Sequence, residues 1–95
     1  MENELVAIKR KILPIIKRYG IRKAEIFGSF ARGEYDDKSD VDILIRPPKD
    51  MSMIGLSSLK IELEEAFGRK IDLVSYDYVN PLLKKSISEK REVVL

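Results

Sequence analysis

The sequence contains no cysteine and no histidine. Without cysteine there is no disulfide framework, no thiolate nucleophile and no zinc–sulfur centre. Without histidine there is no Ser-His-Asp triad and no imidazole base or ligand. Any metal must then be held by carboxylates, carbonyls and water, which favours hard cations such as magnesium or manganese. No apolar run is long enough to span a membrane. Repeats, low-complexity tracts and linkers are missing as well. Glutamine is absent and asparagine occurs only at Asn3 and Asn80, while charged residues reach 36%; this profile resembles heat-adapted proteins. A dominant charge sign is also lacking, since 18 basic and 16 acidic residues leave +2. Nucleic-acid binders concentrate basic residues in one stripe. Here the dense runs, Lys9-Arg10-Lys11 and Lys84-Lys85, fall in helix-like stretches and read as solvated faces. Direct nucleic-acid binding is therefore not expected. The start, Met1-Glu2-Asn3-Glu4, is acidic rather than the basic region of a signal peptide, so a cytoplasmic location is expected.

What remains suits one small domain over residues 1–95, with 44% hydrophobic residues to build its core. Leu5, Ile8, Ile12, Ile15, Ile16 and Tyr19 recur at helical spacing. Pro14 should kink that helix, since an interior proline costs about 3 kcal/mol, and Gly20 is a plausible cap. Ile21 to Phe27 reads as a strand running into Gly28. A turn-rich stretch leads to the β-branched run Val41 to Ile45, stopped by Pro47-Pro48. A second amphipathic helix is expected over about 52–67, with Leu56, Leu59, Leu63, Ala66 and Phe67 on one face and Gly68 closing it. Lys70 to Ser75 reads as a third strand. Asn80-Pro81 reads as an N-cap followed by proline at the first helical position, with a short helix to about Ser88. Glu92 to Leu95 would add an edge strand. The class is α/β or α+β, a small mixed, twisted sheet with helices packed against it.

The chemistry should lie between Gly28 and Ile45. Alternate side chains on a strand share a face, so Asp40 and Asp42 point one way and Val41, Ile43 and Ile45 the other. Two carboxylates beside an apolar run repel and lose hydration unless something neutralises them. A divalent cation does so, and magnesium takes one or two protein carboxylates plus water and substrate phosphates. In Lys70-Ile71-Asp72-Leu73-Val74, Asp72 would come beside that pair if the two strands are neighbours. Three acids could then hold two cations about 3.5–4 Å apart, an arrangement that serves phosphoryl or nucleotidyl transfer. Gly28 would let the backbone approach a phosphate, with Ser29 adding a hydroxyl and Arg32 a fork of donors. Gly33 would end the short helix in a left-handed conformation. Taken singly, Gly28-Ser29 is a turn with an N-cap, Asp40 caps a turn after Ser39, and Arg32 pairs with Glu34. Asp42 and Asp72 resist such readings, because aspartate is poor strand material and the anomaly occurs twice.

Gly28-Ser29-Phe30-Ala31-Arg32-Gly33, five residues, then Ser39-Asp40-Val41-Asp42-Ile43 resembles the signature of the minimal nucleotidyltransferases. These are small relatives of the DNA polymerase beta-like nucleotidyltransferases. The likeness extends through Gly68-Arg69-Lys70-Ile71-Asp72-Leu73-Val74 and from Asn80-Pro81-Leu82 to Val93-Val94-Leu95. It implies the polymerase beta-like fold, with Asp40, Asp42 and Asp72 as catalytic and metal-binding residues for two magnesium ions. It assigns Gly28, Ser29, Arg32 and Ser39 to the nucleotide, with ATP as substrate. Members often serve as antitoxins that transfer AMP to a tyrosine of a HEPN-domain ribonuclease toxin in a heteromeric complex. The alternatives are a catalytically silent antitoxin acting by contact and a small-molecule nucleotidyltransferase. The second usually needs an added domain for its acceptor.

Overall fold

The computed structural model describes residues 4–95. The acidic start at Met1–Asn3 lies outside the described residues. Helix α1 (Glu4–Arg18) buries Ile8, Ile12 and Ile16, a stripe at i, i+4 and i+8. It runs unbroken through Pro14. The ring sits on the exposed side, where the missing N–H faces water rather than the core. Gly20 ends the helix at φ 80°. The Ile21 N–H donates to the Ile16 carbonyl at 3.1 Å and the Gly20 N–H to Lys17 at 3.0 Å, the paired bonds of a Schellman cap.

Strand β1 (Lys23–Phe27) leads through Gly28 into the one-turn helix α2 (Ser29–Arg32), then β2 (Val41–Arg46). Helix α3 (Met53–Phe67) starts on Ser52, whose hydroxyl accepts from the Gly55 N–H, and stops at left-handed Gly68. Of its expected apolar face, Leu59 and Leu63 are buried and Leu56 and Phe67 pack at the margin. Ala66 is exposed, because the stripe that meets the core is narrower than the run of apolar letters. Strand β3 (Ile71–Ser75) follows. Asn80 caps a 3-10 turn (Pro81–Leu83) that continues into α4 (Lys84–Glu89), and β4 (Glu92–Val93) ends the order.

The sheet order is β3-β2-β1-β4, with β2 and β3 parallel and the other pairs antiparallel. The sheet is therefore mixed, as expected. Helices α1 and α3 cover the face bearing Ala24, Ile26, Val41, Ile43, Ile45 and Ile71. On the second face Phe27 and Leu44 are each 1% exposed, and Glu25 is the one buried charged residue among those described. Its carboxylate accepts from the Tyr76 hydroxyl at 2.7 Å and lies 3.2 Å from Arg91 Nε. Those partners offset the cost of burying the charge.

Candidate active site

The second face of the sheet carries the acids. Parallel pairing of β2 and β3 sets Asp42 directly against Asp72, and Phe27 of β1 faces Asp42 from the other side. The register is fixed from the opposite face, where Val41 and Ile71, both fully buried, are partners. A slip of one residue would turn every side chain over. Asp40 precedes β2 and stands close enough to act on Asp42 electrostatically. The conditional meeting of Asp72 with Asp42 is thus realised, whereas Asp40 lies just before β2 rather than on it.

Asp42 is the electrostatic focus. Burial, then the Asp72 charge, then the Asp40 charge push its carboxyl up to about 6, with Arg32 opposing them. Such a group is short of positive charge. Among the described residues no three carboxylates converge into a closed ligand set; magnesium needs only one or two and completes its shell with water and phosphate oxygens. A donor set made only of carboxylate oxygens, with Asp42 crowded by its neighbours, suits a hard divalent cation. Asp42 and Asp72 would hold it, with Asp40 within electrostatic reach.

This has a pH consequence. In the metal-free protein, folded Asp42 keeps its proton between about 4 and about 6, where the unfolded chain has lost it. Stability from this group is present below that window and is lost as pH rises through it. Wild-type melting temperature should therefore fall across the window relative to Asp42→Asn, and added magnesium should remove the fall. Thermal melts of both proteins at several pH values check this; parallel curves would contradict the assignment.

Gly28 joins β1 to α2 at φ 73°, ψ −152°, a region that is essentially glycine-only. The expectation was that it opens the backbone to phosphate. Its missing side chain already has an occupant: a Cβ there would fall on Asp42 Oδ2, 3.1 Å from Cγ. The glycine makes room for the carboxylate. Ser29 opens α2, and its half-buried hydroxyl engages no other described residue. Gly33 ends α2 at φ 73°, ψ 20°, left-handed as expected.

Arg32 and Ser39 are engaged elsewhere. Arg32 Nε donates to Glu34 at 3.1 Å and its NH1 to Ser86 Oγ at 3.2 Å, with Glu89 at 3.7 Å. It thus ties α2 to α4 while lying near enough to lower the Asp42 carboxyl. The Ser39 hydroxyl accepts from the Asp36 N–H at 2.9 Å and donates to Asp36 Oδ1 at 3.2 Å. That closes the turn before Asp40. Arg69 was not singled out by the sequence. Its guanidinium donates to the Asp36 and Ser39 carbonyls at 2.9 and 3.2 Å, binds Glu4, and lies 5.0 Å from the Phe30 ring centre. It braces the loop that delivers Asp40. Nothing local marks such a role, since its partners lie about thirty residues away in the chain.

The polymerase beta nucleotidyltransferase family model matches residues 10–95. A Methanocaldococcus jannaschii protein, provisionally named protein adenylyltransferase MJ0435, is 44% identical over 93% of this chain and 95% of its own length. The protein adenylyltransferase MntA of Thermococcus cleftensis is 34% identical over 99% of this chain and 90% of its own. A chain of a toxin–antitoxin crystal structure with AMP-PNP superposes with a TM-score of 0.78 at 20% identity, covering 92% of this chain and 72% of that one. A chain from tri-AMPylated Shewanella oneidensis HEPN toxin in complex with MNT antitoxin gives 0.72 at 17% identity, over 96% and 71%. Both likenesses concern the fold. With the family model spanning nearly the whole sequence and relatives covered almost end to end, this chain belongs to the polymerase beta nucleotidyltransferase family and is a nucleotidyltransferase.

Proposed function

We propose that this protein transfers AMP from ATP to a tyrosine hydroxyl of a partner HEPN-domain ribonuclease toxin, with magnesium, and so silences it. The observation that carries the reading is the Asp42–Asp72 register pair, in which a half-buried Asp42 is crowded by neighbouring carboxylates that a cation would neutralise, beside the Gly28-Ser29 turn. The names of the relatives support adenylyl transfer to protein. The HEPN toxin in the related complex supports the partner class.

Magnesium held here would neutralise charge on the transferring phosphate and the departing pyrophosphate. Asp42 and Asp72 would hold the cation from the sheet, with Asp40 just before β2 within electrostatic reach. Asp72, the exposed member, takes the proton of the incoming hydroxyl in this reading. Ser29 donates its free hydroxyl to a phosphate oxygen. Arg32 adds positive potential while bracing α2, and Ser39 holds the turn that presents Asp40. The attacking oxygen bonds to the α-phosphorus, the bond to the β-phosphate oxygen breaks, and pyrophosphate leaves.

Ser29→Ala should weaken ATP handling by about 10–100-fold, since one donor is lost while backbone groups remain. Transfer rates measured against ATP concentration would show it; unchanged kinetics would make Ser29 structural. The reading as a whole is tested by mixing the protein, magnesium, ATP and a HEPN-domain protein encoded beside it, then weighing the partner intact. AMP adducts that vanish in an Asp40/Asp42 double variant are expected. Full neutralisation of the toxin by that variant, without adducts, would instead favour the antitoxin that works by contact.

A further inference from the structure

The overall charge of +2 conceals two sheet ends of opposite sign. The acids stand at the Gly28 end. At the other end Lys23 of β1 faces Arg46 of β2. Next to them Arg22, Arg46 and Lys49 line an open cavity of about 840 Å³ with Pro47, Pro48 and Asp77. A second cavity of about 480 Å³ shares Asp77 and adds Lys84 and Arg91, between Tyr76 and Ile87. The two cavities share Asp77 and between them carry five cations, Arg22, Arg46, Lys49, Lys84 and Arg91, of which Arg91 is already paired with Glu25. Arg22, Lys49 and Lys84 side chains have no hydrogen bond or ion pair among the described residues. Beside the groove Tyr78 is 87% exposed.

Cations gathered without partners repel one another, and a concave surface focuses their field on whatever enters. Exposed arginine and tyrosine around a cavity are also the residues that dominate protein interfaces. The geometry points to a docking groove for an acidic segment of the protein acceptor. This rests on the reading that the acceptor is a protein. A single-stranded nucleic acid fits less well. Lys23 and Arg46 already lie over the Tyr76 ring, at 4.8 and 5.3 Å, which occupies a face on which a base would stack. Asp77 at the junction of the cavities would oppose an evenly charged phosphate backbone but can accept a peptide N–H. Along β2 the groove's Arg46 stands four residues from Asp42, about 13 Å at 3.3 Å per residue. A segment anchored there leaves the carboxylates open, and their negative field turns its acidic groups toward the basic end.

The test uses a short fluorescein-labelled peptide alternating glutamate and alanine, read by anisotropy at physiological ionic strength without ATP. Arg22→Glu with Lys49→Glu should weaken its binding by about tenfold or more. Lys60→Glu on α3, away from the groove, should leave it unchanged. Magnesium–ATP binding, measured separately on each variant, reports an intact fold and speaks only to the transferase reading. Equal peptide affinity in the double variant and the wild type overturns the groove. So does preferential binding of a single-stranded RNA oligonucleotide that the same double variant abolishes.

Discussion

Asp42→Asn is expected to lower AMP transfer by about three orders of magnitude, because several kcal/mol of cation-based stabilisation depend on that carboxylate. The fold should survive. Asparagine has nearly the same shape, so it fits the space left by Gly28, and its neutral amide ends the repulsion from Asp72 and Asp40 that raises the Asp42 carboxyl. At neutral pH the metal-free variant should therefore melt no lower than the wild type, and magnesium should raise its melting temperature less. Intact-mass measurement of partner adducts over time, together with melts with and without magnesium, gives both halves of the result. Wild-type turnover by the variant would remove Asp42 from the site.

Gly28→Ala should damage both stability and transfer. Its backbone angles alone would cost an alanine about 1–3 kcal/mol, and the added Cβ collides with the Asp42 carboxylate. For a domain this small, a combined loss of about 2–3 kcal/mol lowers the melting temperature by roughly 10 °C or more. A double-mutant cycle separates the two causes. Asp42→Ala removes the oxygens and Cγ that the new methyl would strike and leaves only its Cβ, 3.4 Å away. Gly28→Ala should then cost at least about 1 kcal/mol less in the Asp42→Ala background than in the wild type. Strict additivity would mean that backbone strain is the whole effect and that the glycine does not serve the carboxylate.

Much of this site could be read before any coordinates. The period of the apolar residues located α1, α3 and the three longer strands, because burial on one face leaves a mark every 3.6 or 2 residues. Aspartates inside Val41–Ile45 and Ile71–Val74 stood out because a carboxylate has no local reason to sit in a β-branched run. The glycines at 20, 33 and 68 matched left-handed caps at their φ of 80°, 73° and 76°. Each of these is a property of a residue and its immediate neighbours, and the order of side chains fixes it. Even the meeting of Asp72 with Asp42 could be stated as a condition, though not as a fact.

Tertiary structure decided the rest. The parallel register of β2 and β3 comes from packing Val41, Ile43 and Ile71 against α1 and α3, a choice made by the core rather than by either strand. Only that packing buries Asp42, and burial is the largest cause of its raised carboxyl. The space at Gly28 is filled by a side chain fourteen residues away, a neighbour that the local pattern does not show. Arg32 is committed to Glu34, Ser86 and Glu89, two of them on α4. The basic end likewise gathers Arg22, Lys49, Lys84 and Arg91 from separate stretches of a chain whose charges look evenly mixed. Sequence marks the apolar period of each segment and where the chain turns; which distant charges meet depends on register and crossover, and those are settled only when the sheet's faces are packed.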